Sequence, residues 1–161
     1  VDLTMNKIKY ITNYSSSRFK LREINSITFP ENCREIIINN NQLFKIKDFY
    51  FKGLKNLENL SLKFNKISFI EPRSFDDLIS LQYLSIDDSG IFKISINLFN
   101  SLTYLISLRL NLNLIKDLKT GTFDSFEKLT DLILSENMIY YLPPKIFSKL
   151  SSLKTLLLNK N

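Results

Sequence analysis

Apolar residues return along most of this chain at one fixed interval. With Leu57 as position 1, apolar side chains fall at Leu57, Leu60, Leu62, Ile67, Ile70, Phe75 and Leu78, with Asn65 at position 9. The same order recurs 24 residues later from Leu81, then from Leu105 and from Leu129. One step back opens at Cys33, and a last copy opens at Leu153 and reaches Asn161. Among the forty marked positions of the five full copies, only Cys33 at position 1 and Ser89 at position 9 leave the residue class. The units are therefore 33–56, 57–80, 81–104, 105–128 and 129–152, with a partial copy at 153–161.

Within each unit positions 4 and 6 are apolar between polar neighbours, the period-2 pattern of a short strand with one buried face. Strands are predicted over 35–39, 59–63, 83–87, 107–111, 131–135 and 155–159. One unit cannot bury its own apolar edge. Units stacked at constant spacing form a parallel sheet with a continuous core, whose stability adds up from repeat to repeat. Asn at position 9 can donate to and accept from backbone groups where the chain leaves the strand. Ser89 has only a hydroxyl to offer there, so a weaker rung is expected. The column Phe51, Phe75, Phe99, Phe123 and Phe147 reads as a buried spine, each ring contributing roughly 1.5–3 kcal/mol. The outward crossings are too short for long helices; turns and single 3₁₀ or α turns are expected near Phe75 and Phe123. Pro72, Pro143 and Pro144 lie on those crossings, where a missing amide costs the sheet nothing.

Residues 1–32 are less regular. Val1, Leu3, Asn6, Ile8 and Ile11 fit most of a unit whose implied start lies 35 residues before Cys33, which is too far for one period and too near for two. An irregular rung with a loop around Asn13, anchored by Ile24 and Ile27, fits this spacing. A segment missing from the sequence would produce the same spacing.

This pattern resembles the leucine-rich repeat family, whose units span 20–29 residues. The 24-residue unit with Phe at position 19 is similar to the typical subclass of Toll and Toll-like receptor ectodomains, Slit, variable lymphocyte receptors and insect immune repeat proteins. The resemblance implies an α/β leucine-rich repeat solenoid, with a curved parallel sheet on the concave face and loops and short 3₁₀ or α turns on the convex face. It also implies a protein-binding part of an extracellular receptor or secreted recognition protein. Family members outside the cell usually have cysteine-rich caps; with the lone Cys33, either the caps have been cut from this sequence or the protein is intracellular.

Composition changes this picture little. The chain has 161 residues, 24% charged and 44% hydrophobic, which suits a soluble fold. The net charge of +6 raises the question of nucleic acid. On the strand surface, however, Arg34, Lys63, Arg109, Lys154 and Lys160 stand against Glu35, Glu58, Asp87, Asp88, Asp131 and Glu136, so no basic groove forms and a nucleic-acid ligand is disfavoured.

No histidine is present, which removes the commonest general base. No phosphate loop or nucleophile elbow occurs, and the carboxylates come from rungs too far apart for a metal shell. The expectation is a non-enzyme without cofactor or metal. Large apolar groups occur where a solvated sheet face should be polar: Ile37, Phe64, Tyr83, Ile106, Leu112, Ile133 and Leu157. The expected ligand-binding set is Phe64, Tyr83, Asp88, Arg109, Leu112, Asp131, Ile133 and Glu136, facing a protein ligand or co-receptor. N-x-S/T sequons at Asn13 and Asn59 are candidate glycosylation sites. The alternative is a structural or adhesive scaffold that associates with itself through exposed solenoid ends.

Overall fold

The structure, a computed structural model, describes Arg22 and residues 29–161. The readings made for Val1 to Ile11, for the Asn13 loop and for Ile24 and Ile27 fall outside those residues.

Six strands build one parallel sheet: β1 (Glu35–Ile37), β3 (Asn59–Ser61), β5 (Tyr83–Ser85), β6 (Ser107–Arg109), β7 (Asp131–Ile133) and β8 (Thr155–Leu157). Register is strict, with Glu35, Asn59, Tyr83, Ser107, Asp131 and Thr155 in one row across the sheet. A constant repeat length requires this, because each rung must return to the height of the last.

The strands begin where the sequence places them but close two residues earlier. Position 8 is the reason. Asn40, Phe64, Asp88, Leu112, Glu136 and Lys160 all adopt a left-handed backbone, with φ between 50° and 58°. None is glycine, and this conformation costs an L-residue roughly 1–2 kcal/mol. The cost is offset by single ladder bonds that continue past the strand. Leu62 N–H donates to Ser85 O at 2.8 Å and Phe64 N–H to Asp87 O at 3.0 Å, and the same pair of bonds recurs up the stack.

The core is one cluster running the length of the described stack. Phe51, Phe75, Phe99 and Phe123 are fully buried, whereas Phe147 at the last full unit is half-buried. Phe126, at a position where other units have Leu, adds a ring. It lies 5.4 Å from Phe99 and 6.0 Å from Phe123, and Phe123 stacks on Phe147 at 6.0 Å. Phe29 extends the column at the other end, 6.2 Å from Phe51.

The position-9 residues Asn65, Asn113 and Asn137 are buried and fully used. Asn113 Nδ2 donates to Ile86 O at 2.8 Å and Leu110 O at 3.0 Å, while its Oδ1 accepts the amides of Gly90 at 2.9 Å and Ile91 at 3.0 Å. Asn65 and Asn137 repeat the arrangement, taking the Leu43 and Ile115 amides. Ser89 makes only long donor bonds, 3.4 Å to Leu62 O and 3.3 Å to Asp87 O. Among the described residues no side-chain oxygen serves the Ile67 amide, the group that an Asn at position 89 would take.

The outward crossings are turns, as the sequence suggests, and two details extend that expectation. No helix occurs among the described residues, on the convex side or elsewhere. Around Phe75 the i→i−3 bonds close only at alternate residues, Ser74, Asp76 and Leu78, while the Arg73 amide is diverted to Asp48 Oδ1 on the rung below. A 3₁₀ helix needs consecutive bonds of this kind. Second, a small ladder lies beyond the turn: β2 (Lys45–Ile46) pairs in parallel with β4 (Phe69–Ile70), and bridges from Lys93 to Asp117 to Tyr141 continue it.

Candidate ligand-binding face

The eight residues expected to form the site fall into two groups. Tyr83, Arg109, Asp131 and Ile133 stand on the strands, whereas Phe64, Asp88, Leu112 and Glu136 occupy the left-handed turns that rim the sheet. Tyr83 is 47% exposed, Phe64 49% and Leu112 43%. Ile133 is not available, being only 8% exposed. It lies in register between Arg109 and Leu157, whose side chains stand on either side of it. The same crowding leaves Ile37 and Ile106 half-buried.

The carboxylates do not gather into one acidic patch. Asp88 is exposed on its turn, and Glu136 pairs with Lys160 at 3.4 Å. On β7, Thr130 donates to Asp131 at 2.5 Å. Hydrogen bonds from Thr130 and Thr155, helped by the charge of Lys154, hold the Asp131 carboxyl below the usual carboxylate range.

Asp87, outside the expected set, is the most constrained of the carboxylates. It is 4% exposed. Its Oδ2 accepts Ser85 Oγ at 2.9 Å and Arg109 Nε at 3.2 Å, with Lys63 Nζ at 3.8 Å. One buried carboxylate thus holds two cations from the rungs on either side. The signal was in the register: position 7 of one unit lies beside position 5 of the next, 22 residues on.

Lys63 and Arg109 belong to a concavity of about 370 Å³ on the sheet face, lined also by Tyr83, Asn59, Ser61, Ser85 and Ser107. At its edge Asn59 Nδ2 donates to Glu35 Oε1 at 2.7 Å. The Asn59 sequon is therefore half-buried inside this hollow, and a glycan there would occupy it. The sequon at Asn13 lies outside the described residues.

A second exposed apolar surface was not foreseen. Phe44, Phe92, Leu114, Met138, Tyr140 and Tyr141 are exposed along the flank that carries the small ladder. Tyr140 donates its hydroxyl to Asp117, and that carboxylate raises the phenol pKa above its ordinary value. Among the described residues, no three His, Cys, Asp or Glu side chains are grouped to hold a metal, and no helix is long and apolar enough to cross a membrane. Cys33 is a free, buried thiol whose Sγ contacts Glu35 O at 3.2 Å, and burial pushes its pKa up.

A leucine-rich repeat family model matches residues 31–91, 79–139 and 103–161. No curated protein matches the chain. Among solved structures, a TLR13–ssRNA13 complex is 35% identical with a TM-score of 0.78, over 81% of this chain and 18% of that one. The complex of Toll with Spatzle, described as a hub in Drosophila development and innate immunity, is 27% identical with a TM-score of 0.66, over 73% of this chain and 16% of that one. The chain thus spans less than a fifth of either structure.

Proposed function

The chain belongs to the leucine-rich repeat family, and from that premise we propose that it is the recognition part of an extracellular innate immune or developmental receptor, or of a secreted recognition protein. It binds a protein ligand on the face of its six-stranded sheet and carries out no catalysis. The observation that carries this reading is the exposure of Tyr83 and Arg109 on neighbouring strands beside Asp131. An aromatic and an arginine near the middle of a mixed-charge surface are the usual energetic anchors of protein interfaces. Phe64, Asp88, Leu112 and Glu136 act from the rim. Likeness to Toll in complex with Spatzle supports a protein partner. Likeness to a receptor bound to ssRNA keeps nucleic acid as the competing ligand, and the balanced charge of the sheet face speaks against it.

The test places a photo-crosslinking amino acid at position 83 and, separately, at position 93 on the flank, in the presence of extracellular fluid from the source organism. Crosslinking at 83 to one protein, weakened by Arg109→Gln, is the expected result. Crosslinking confined to 93 would move the site to the flank.

A further inference from the structure

We propose that the hollow between β1 and β6 receives a single carboxylate, carried by an otherwise basic segment of the protein partner. The inference rests on the reading above that the sheet face binds a protein. Its basis is a local charge imbalance. Lys63 and Arg109 both approach one oxygen of Asp87, and no other anion pairs with either among the described residues. Arg109 uses Nε for Asp87, leaving the two terminal nitrogens of its guanidinium without a protein partner among the described residues. Those nitrogens form the fork that grips a carboxylate with two parallel bonds.

Asp87 lies beneath, so the two cations are held in place before any ligand arrives, which lowers the ordering cost of binding. Part of the remaining lining suits the same guest. Ser107 offers a hydroxyl, whereas the Ser61 and Ser85 protons are already given to Asn39 Oδ1 and Asp87 Oδ2, and the half-exposed Tyr83 ring provides an apolar wall for the methylenes of an acidic side chain. At about 370 Å³ the hollow admits a side chain or a short turn and not a domain face.

The surroundings decide between a lone carboxylate and a polyanion. Glu35 lies on β1, Asp88 on the rim and Asp131 on β7, while Glu58 beside β3 is already paired with Arg34 at 2.5 Å. A chain of phosphates threaded across the hollow would meet these carboxylates on leaving it, and like charges brought together cost binding energy. A segment with one acidic residue between basic ones meets the opposite sign at each point. The same arrangement accounts for a sheet face that is nearly neutral in total yet patterned in detail.

The experiment uses the full chain, isotopically labelled, and three probes followed by amide and arginine Nε chemical shifts. The probes are a basic peptide with one central glutamate, the same peptide with glutamine in its place, and a single-stranded RNA of about ten nucleotides. The expected result is saturable movement of the Ser85, Ser107 and Arg109 signals with the glutamate peptide, and binding at least about tenfold weaker with the glutamine peptide. Lys63→Gln should remove most of that difference. The glutamate-to-glutamine exchange leaves the protein untouched, so the test does not depend on a variant that folds. Equal binding of the two peptides on the sheet face would overturn the carboxylate inference and leave the protein-binding reading standing. No saturable shift from either peptide up to millimolar concentration, or tighter binding of RNA in the hollow, would also overturn the inference. Shifts confined to the flank residues around Lys93, Asp117 and Tyr141 would overturn both.

Discussion

Arg109 on β6 reaches back over one rung to place Nε 3.2 Å from Oδ2 of Asp87, a carboxylate that the sheet itself buries. Arginine at the centre of a candidate binding face therefore has a second task. Removing it leaves the buried Asp87 carboxylate with only Ser85 Oγ at 2.9 Å and Lys63 Nζ at 3.8 Å, so Arg109→Ala should lower stability by about 1–3 kcal/mol, discounted toward the lower end because the guanidinium is partly exposed. In an Asp87→Asn background the loss should shrink. Urea titration of the four variants of this cycle measures the coupling, and a coupling near zero would show that the pair is incidental. Arg109→Glu sets a second carboxylate against Asp87 and should depress the thermal midpoint, which makes Arg109→Gln the better variant for binding work.

The spine should be graded by burial. Phe123 is fully buried between Phe126 and Phe147, and Phe123→Ala should cost about 3–5 kcal/mol. Phe147→Ala, at a half-buried site, should cost distinctly less. Lys119→Ala on the convex side should stay within about 0.5 kcal/mol. Denaturant midpoints that fail to follow this order would refute the packing account.

Ser89 marks a rung that can be improved. Asn in its place would reach the Ile67 amide and the Leu62 carbonyl, as Asn65 and Asn113 do for their own neighbours. Ser89→Asn should raise stability by about 0.5–1.5 kcal/mol, and the Ile67 amide should exchange with deuterium more slowly. Unchanged exchange at Ile67 would mean that the position-9 slot cannot seat the larger amide on this rung.

Asp131 should titrate below an ordinary aspartate. Its folded pKa is depressed by the Thr130 and Thr155 hydrogen bonds, so its contribution to stability is present above the unfolded value, about 3.9. That contribution fades as pH falls through the lower folded value. Thr130→Val should move the carboxyl midpoint back up in an NMR titration of the Asp131 side chain. A midpoint that stays put would assign the depression to Thr155 and Lys154 instead.

Left-handed turns give a further measurable asymmetry. Leu112 sits at φ 57° with an exposed side chain, so Leu112→Asn should be neutral or stabilising by up to about 1 kcal/mol, since Asn tolerates this conformation. A clear loss of stability in urea would show that the Leu112 side chain packs against a neighbour and is not held at a rim.

The repeat determined by itself that the chain would stack, where each strand would begin and which Phe column would be buried. Those follow from spacing alone, because equal intervals force register and register forces the buried row. Spacing also placed Asn at position 9 and identified Ser89 as the odd rung. What one linear pattern could not supply is the direction and company of each side chain on the open face. Ile133 looked available as a large residue at a surface position, yet between its in-register neighbours Arg109 and Leu157 it is only 8% exposed. Asp87 looked like solvated charge and is buried, because two cations from adjacent rungs converge on it. Phe64, Asp88, Leu112 and Glu136 looked like strand surface, but the left-handed turn carries them to the rim, and no glycine in the sequence announced that turn. The small ladder of β2 and β4 and the apolar flank were equally hidden, since a two-residue strand has no period to read. Local alternation specifies which residues face inward; which outward residues remain open depends on neighbours 22 to 24 positions away, and only the folded stack brings those together.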